Sequence, residues 1–440
     1  MSTAVSGVLK ICEGFLGREQ AWHWSGSVVN AAGQSMECAG PLCSIGDCCE
    51  IVDAAGLRYP AEVIGFRGQR VLAMPLGSIE GIRHGDKVVG LGRPADFPAG
   101  DALIGRVLDA TGSPLDDGGP LVTRTREPIH RAAPAPLARI PIRDPLATGV
   151  RALDAMLAVG RGQRVGVFGG SGVGKSTLIG IMTRNTSADV TVVGLVGERG
   201  REVKEFLEDA LGEEGRRRSV VIVSTSDQSP LLRMRAALAA TSVAEGFAAQ
   251  GKDVLLILDS LTRFAMAARD VGLAAGEPPT AKGYTPSVFN RVAKLVERAG
   301  RFEGGSITAF YTVLMEGDDQ QDPVVDAVRS FVDGHIMLSR ALAAEGWYPP
   351  IQVLDSISRL MPAVVSPEHL AAAAALRRAM ALHERASDLI RIGAYRSGTD
   401  PDLDRAIALQ PSIRALLTQR TEEQSTPEQA LAALLQLVGS

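Results

Sequence analysis

The chain has 440 residues, 45% of them apolar and 22% charged, with a formal net charge of −4. That length suits two or three domains with a core of ordinary size, and the charge argues against nucleic-acid binding by bulk positive charge. No apolar run reaches the ~18 residues that a membrane-spanning helix needs. Before Arg18 only Lys10 is basic and no continuous apolar stretch follows, so no secretory signal is predicted and the protein reads as cytoplasmic. Cys12, Cys38, Cys43, Cys48 and Cys49 all fall early in the chain. They form no C-x₂-C pair and no histidine completes a zinc set, so reduced thiols are predicted.

In chain order, residues 1–23 come first. Val5, Val8, Leu9, Cys12, Phe15 and Leu16 recur at helical spacing. They predict an amphipathic helix that either packs on its own domain or docks a partner or a membrane surface. Residues 24–95 carry short β-prone runs at 26–30, 50–53, 61–64, 70–74 and 87–90, punctuated by glycine and proline. A small β-barrel is predicted. Residues 96–145 are dense in glycine and proline and read as a linker wrapping into the next domain.

From Arg164 onward the pattern alternates. Strands start at Arg164, Val190, Ser219 and Asp253, and helices are predicted over 175–184, 201–211 and 231–250. The strands are almost continuously apolar, as strands covered on both faces must be. The fold class is therefore α/β, with a parallel sheet at the centre of residues 96–365. Residues 366–440 turn helical and alanine-rich. Ser366-Pro367 starts a helix that Gly393 can stop, and Thr399-Asp-Pro401 and Thr426-Pro427 mark two more starts.

The strongest motif is Gly169-Gly170-Ser171-Gly172-Val173-Gly174-Lys175-Ser176, followed by Thr177. It fits G-x-x-x-x-G-K-[ST] between a strand and a helix, a P-loop. Glycines let backbone N–H groups converge on phosphate oxygens, and the helix presents its positive end to the same oxygens. Lys175 would reach the β- and γ-phosphates of ATP, and the Ser176 hydroxyl would ligate Mg²⁺. The strand Leu255–Asp259 ends in a carboxylate at the same sheet edge, placed to hold Mg²⁺. Glu198, in Gly197-Glu198-Arg199-Gly200, follows the next strand, where a carboxylate can activate water. Together these predict a nucleotide hydrolase.

Longer stretches carry a resemblance. They are Thr148–Asp154, Gly160–Arg164, Gly197–Glu202, Asp259–Phe264, Lys282–Phe289, Glu316–Asp319, Asp333–His335, and Tyr348-Pro-Pro with Ser356–Arg359. This set resembles the catalytic subunit of rotary ATP synthases and its relatives, the type III secretion ATPases. Leu261–Ala267, Ser226–Pro230, Leu314–Asp319 and Ile392–Ile407 resemble the flagellar export branch most closely, and the acidic DELSEED-like segment of the synthase is absent.

The resemblance implies a RecA-like core between an N-terminal barrel and a C-terminal helical domain. It makes Glu198 the catalytic carboxylate, with Arg199 beside it. It makes Arg359 an arginine finger that crosses a subunit interface, and it stacks Tyr348 on adenine. It implies a homohexamer at the inner face of the plasma membrane, with a stator-like regulator, a central stalk protein, an export gate and substrate–chaperone complexes as partners. The alternatives are an injectisome ATPase, a rotary proton-coupled synthase subunit, a Rho-type translocase and a scaffold without turnover. Few aromatics in residues 24–95 speak against the Rho type. Intact Lys175, Glu198 and Arg359 speak against the scaffold.

Overall fold

The computed structural model describes residues 24–315 and 322–439. The helix expected in residues 1–23, with its Cys12, and the 316–319 stretch lie outside the described residues. Six antiparallel strands open the fold: β1 Ser25–Ala32, β2 Ser35–Ala39, β3 Asp47–Val52, β4 Arg58–Arg67, β5 Arg70–Pro75 and β6 Lys87–Pro94. They close into a barrel in the order β1-β2-β5-β4-β3-β6. Closure leaves no unpaired sheet edge. Val28, Met36, Ile51, Val63, Ala73 and Val88 fill the interior. The sequence reading missed β2, whose Ser-Met-Glu-Cys-Ala run is weakly β-prone and is held by the inward pair Met36 and Cys38. Burial pushes the Cys38 thiol up to about 11, and the four described cysteines are free, so they behave as small apolar residues.

The 96–145 segment is more than a linker. Its Val107–Asp109 stretch, β7, joins the edge of the core sheet in register with Val221–Val223. Three residues are too few to show a periodicity. Asp116 fixes them instead, accepting from Val107 N at 2.6 Å and pairing with Arg106.

The core strands are β8 Arg164–Gly169, β9 Val190–Glu198, β10 Ser219–Thr225, β11 Asp253–Asp259, β12 Ser306–Leu314, β13 Gly334–Met337 and β14 Ile357–Ser358. The sheet runs β14-β13-β8-β12-β11-β9-β10-β7, all parallel except the antiparallel β13–β14 pair. β9 and β12 are buried at nearly every position, because helices cover both faces. Register aligns Gly169 with Leu314 and Leu195 with Asp259. Four adjacent strands, β8, β12, β11 and β9, therefore end together at one edge, which is where open α/β sheets bind ligands.

The helix after β9 begins at Gly200 and loosens into a wide turn over Phe206–Leu211. The P-loop helix, Lys175–Asn185, packs against that turn through Gly180, where an added Cβ would lie 2.5 Å from Ala210 O. Helices Pro367–Arg391, Pro401–Ala408, Gln410–Leu417 and Pro427–Gly439 complete the chain. The second starts at Pro401, within the expected Thr399-Asp-Pro401 start, and Asp400 caps it by accepting from Asp402 N and Leu403 N. Arg377 ties this helical region to the core, donating to the carbonyls of Val353, Ser356 and Met156.

Candidate active site

β8 ends at Gly169 and the chain turns through Gly172 (φ 75°) and Gly174 (φ 98°) into the helix at Lys175. Both glycines adopt left-handed conformations that side-chain-bearing residues rarely tolerate, and only there can the loop curl over the helix N-terminus. Lys175 is buried, and its Nζ donates to Gly169 O at 3.1 Å and to Gly170 O. Burial lowers its pKa, while the carboxylates of Asp259 and Glu198 pull it back up. The ammonium thus stands between loop carbonyls and two acids.

Asp259 ends β11 and is 5% exposed. Its Oδ1 accepts from Thr312 Oγ1 of the adjacent β12 at 2.6 Å. Desolvation raises its pKa, against the Thr312 bond and Lys175. Glu198 closes β9. Burial, the Asp259 charge and a hydrogen bond with Glu202 push it up to about 8. Ser171, Gly172, Gly174, Lys175, Ser176, Thr177, Glu198 and Asp259 all border one hollow of about 330 Å³. The Ser176 hydroxyl and the Asp259 carboxylate are hard oxygen donors on that hollow, which fits Mg²⁺ beside phosphate.

Two other hollows, of about 420 and 560 Å³, share Thr177 with that one as a lining residue. Tyr348 lines the larger one, and an added Cβ on Gly174 would lie 3.6 Å from its ring. Tyr348 is 45% exposed beside the P-loop. Residues 418–423 wall the same groove. Gln419 holds them there: its backbone N donates to Tyr348 O at 2.8 Å, and its side chain bonds Arg151 N and Gly149 O.

Arg199 lies at the rim, with 74% of its side chain exposed, and pairs with Glu202 at 3.3 Å. Arg359 is elsewhere. Ser358 pairs with Gly334, which pairs with Val165 at the start of β8, and Arg359 N donates to Asp333 O. The finger candidate is therefore at the opposite edge of the sheet from its own P-loop. From Val165 to Gly169 alone is about 13 Å along the strand.

Sequence reasoning missed Arg263. It sits in the first turn of helix Leu261–Ala274, where Ser260 Oγ accepts from its backbone N. Its positive charge lowers the pKa of both Glu198 and Asp259. The available signal was a lone cation four residues past the strand-ending Asp259, at the start of a helix. Thr312 and Gln419 carried no such signal, since each acts through a partner far away in sequence.

Comparison with known proteins follows the same outline. The ATP synthase alpha/beta family descriptions match residues 25–92 (beta-barrel domain) and 149–358 (nucleotide-binding domain). A third, the T3SS EscN ATPase C-terminal domain, matches residues 365–436. The chain is 49% identical to the flagellum-specific ATP synthase of Pseudomonas aeruginosa, over 94% of this chain and 93% of that one. It belongs to the type III export ATPase family. It is 47% identical to the type 3 secretion system ATPase of Xanthomonas euvesicatoria, over 93% of each chain. The assembled ATPase EscN of enteropathogenic E. coli superposes with a TM-score of 0.89 at 42% identity, covering 94% of this chain and 100% of that one. EscN bound to its central stalk EscO gives 0.87. Like its relatives, this export ATPase is a nucleotide hydrolase with a barrel, a parallel-sheet core and a helical C-terminal region. Among its described residues no helix is long and apolar enough to cross a membrane.

Proposed function

We propose that this chain is the ATP-hydrolysing subunit of a flagellar-type export apparatus, acting as a homohexamer at the cytoplasmic face of the plasma membrane. One observation carries the mechanism. Lys175, Glu198 and Asp259 share a hollow, whereas Arg359 lies at the far sheet edge.

In this reading the P-loop amides and Lys175 bind the β- and γ-phosphates. Ser176 and Asp259 hold Mg²⁺, which would neutralise phosphate charge when bound. Glu198 orients a water for attack on the γ-phosphorus and accepts its proton, as the bond to the ADP oxygen breaks. Arg263 offsets part of the burial that raises the pKa of Glu198 and Asp259. Arg199 acts through Glu202 as a positioning residue. Tyr348 stacks on adenine, with residues 418–423 as the outer wall. Arg359 of one subunit stabilises the charge developing in the site of the next, as a planar, always-charged fork suits.

EscN's assembled form and its stalk EscO support a hexamer and a central stalk here. A stator-like regulator on residues 1–23, an export gate and substrate–chaperone complexes complete the partner set.

The test mixes two variants, Glu198→Gln and Arg359→Ala, each inactive alone. If the site is shared, equal mixing regenerates intact interfaces and restores activity to about a quarter of wild type for independent sites. Mixtures as inactive as their parents would sink the shared site. The Xanthomonas relative supports a second reading, an injectisome ATPase. Restoration of motility rather than effector secretion in deletion strains separates the two.

A further inference from the structure

A cavity of about 710 Å³ lies between the barrel and the core, away from the P-loop. Its wall is mainly apolar, with Ile64 of β4 facing Leu238, Phe264 and Leu295 of the core helices. Its size falls within the range of small-molecule pockets. Set into this wall are groups that apolar surroundings should not leave bare. Arg235 is only 6% exposed, yet its Nε has no hydrogen-bond partner, and among the described residues its guanidinium makes no ion pair. Arg291, in the same wall, makes one hydrogen bond among the described residues, to Met234 Sδ at 3.7 Å. Glu62 is 4% exposed, with Oε1 3.4 Å from His130 Nε2 and Oε2 without a partner.

The fold does satisfy a buried guanidinium where the role is structural. Arg298, in the same wall and 1% exposed, makes two 2.7 Å bonds to Glu245 and one of 2.8 Å to Ile129 O. Arg235 has nothing of the kind. A buried cation without a partner is costly, so such groups pair, bind a ligand or move to water. Arg291 is drawn to the carboxylates of Glu277 and Glu62, and Glu62 already lies beside His130, which leaves Arg235 without an ion-pair partner among the described residues.

We propose that this cavity is a binding site for an amphipathic anion, specifically an unbranched single-chain carboxylate. The chain lies along the Leu238–Phe264 wall and the head is held by the Arg235 and Arg291 forks. Guanidinium geometry suits a two-oxygen head. The bound molecule touches β4 and three core helices at once, so it braces the barrel against the nucleotide-binding core.

Equilibrium dialysis of the full chain with decanoate tests this. The expected result is one saturable decanoate per chain. Decanoate binds about fourfold tighter than the acid one methylene shorter, and decanol and acetate bind at least tenfold more weakly. Arg235→Met loses decanoate binding by tenfold or more while basal ATPase activity stays within twofold. Should Arg235→Met fail to fold, Leu238→Trp fills the cavity with the arginine in place and must block binding too. Decanol binding as well as decanoate, or binding unchanged in both variants, would overturn the proposal. So would loss of binding on nucleotide-driven assembly, which would assign the anion to a neighbouring subunit's side chain.

Discussion

The two edges of the central sheet differ in how they treat their polar side chains. At the C-terminal edge Lys175 and Asp259 are buried and Glu198 half-buried, all three displaced in pKa and within one hollow. At the other edge Arg359 is exposed, and its hydrogen bond among the described residues is through its backbone, to Asp333 O. A side chain that serves its own fold is packed or paired, as Arg164 is by Asp333 and Glu297. One left in solvent beside a rigid strand suits a partner that arrives from outside. The largest effect should therefore come from the exposed residue. Arg359→Ala is predicted to lower kcat by about 10³-fold or more, with nucleotide affinity and folding intact, because among the described residues its side chain makes no hydrogen bond or ion pair. Fluorescent-nucleotide binding alongside turnover checks both halves. A loss of affinity equal to the loss of rate would put Arg359 in ground-state binding and break the contrast between the edges.

The buried edge is probed by Glu198→Gln, predicted to cost roughly 10² to 10⁴-fold in kcat. Its pH signature sharpens the assignment. Burial and Asp259 raise the Glu198 pKa to about 8, so below that value the carboxyl holds its proton and cannot accept one from water. The sign is therefore rising: kcat/KM should climb by up to about tenfold per pH unit on the acid side and level off above, because that ratio reports the free enzyme. Arg263→Ala removes a cation that holds this pKa down and should move the limb to higher pH. A wild-type profile flat from pH 6 to pH 9 would remove Glu198 as the base.

Legibility in the sequence followed the same divide. Gly169–Ser176, Asp259 and Glu198 could be read because each ends or follows an apolar strand, and strand ends are visible in one dimension. The barrel was legible from its turns, except β2, whose few β-prone residues depend on cross-strand partners. β7 was hidden because three residues carry no period, and its anchor, Asp116, acts through a side chain folded back on Val107. Arg359 needed family resemblance, since an exposed arginine looks the same whether it awaits a subunit or only water. The residue 418–423 wall was invisible for a related reason. It reaches the site by tertiary contact alone.

That wall gives the smallest and most local prediction. Gln419 is 6% exposed and joins two stretches distant in sequence: Tyr348 through its backbone, and the 149–151 segment, at Arg151 and Gly149, through its amide. Replacing it with alanine leaves Arg151 N and Gly149 O without their partner at a buried site, at a cost of about 1–3 kcal/mol in stability. The wall beside Tyr348 should loosen, raising KM for ATP several-fold with kcat little changed, if the proposed stacking of adenine on Tyr348 holds. Tyr348→Ala should raise KM about tenfold, whereas Tyr348→Phe keeps the ring and should stay near wild type. If Tyr348→Phe matched Tyr348→Ala, the hydroxyl rather than the ring face would be what the ligand meets. If Gln419→Ala lowered kcat as Arg359→Ala does, the groove wall would belong to the chemistry, and the division between a buried chemical edge and an outer binding wall would fail.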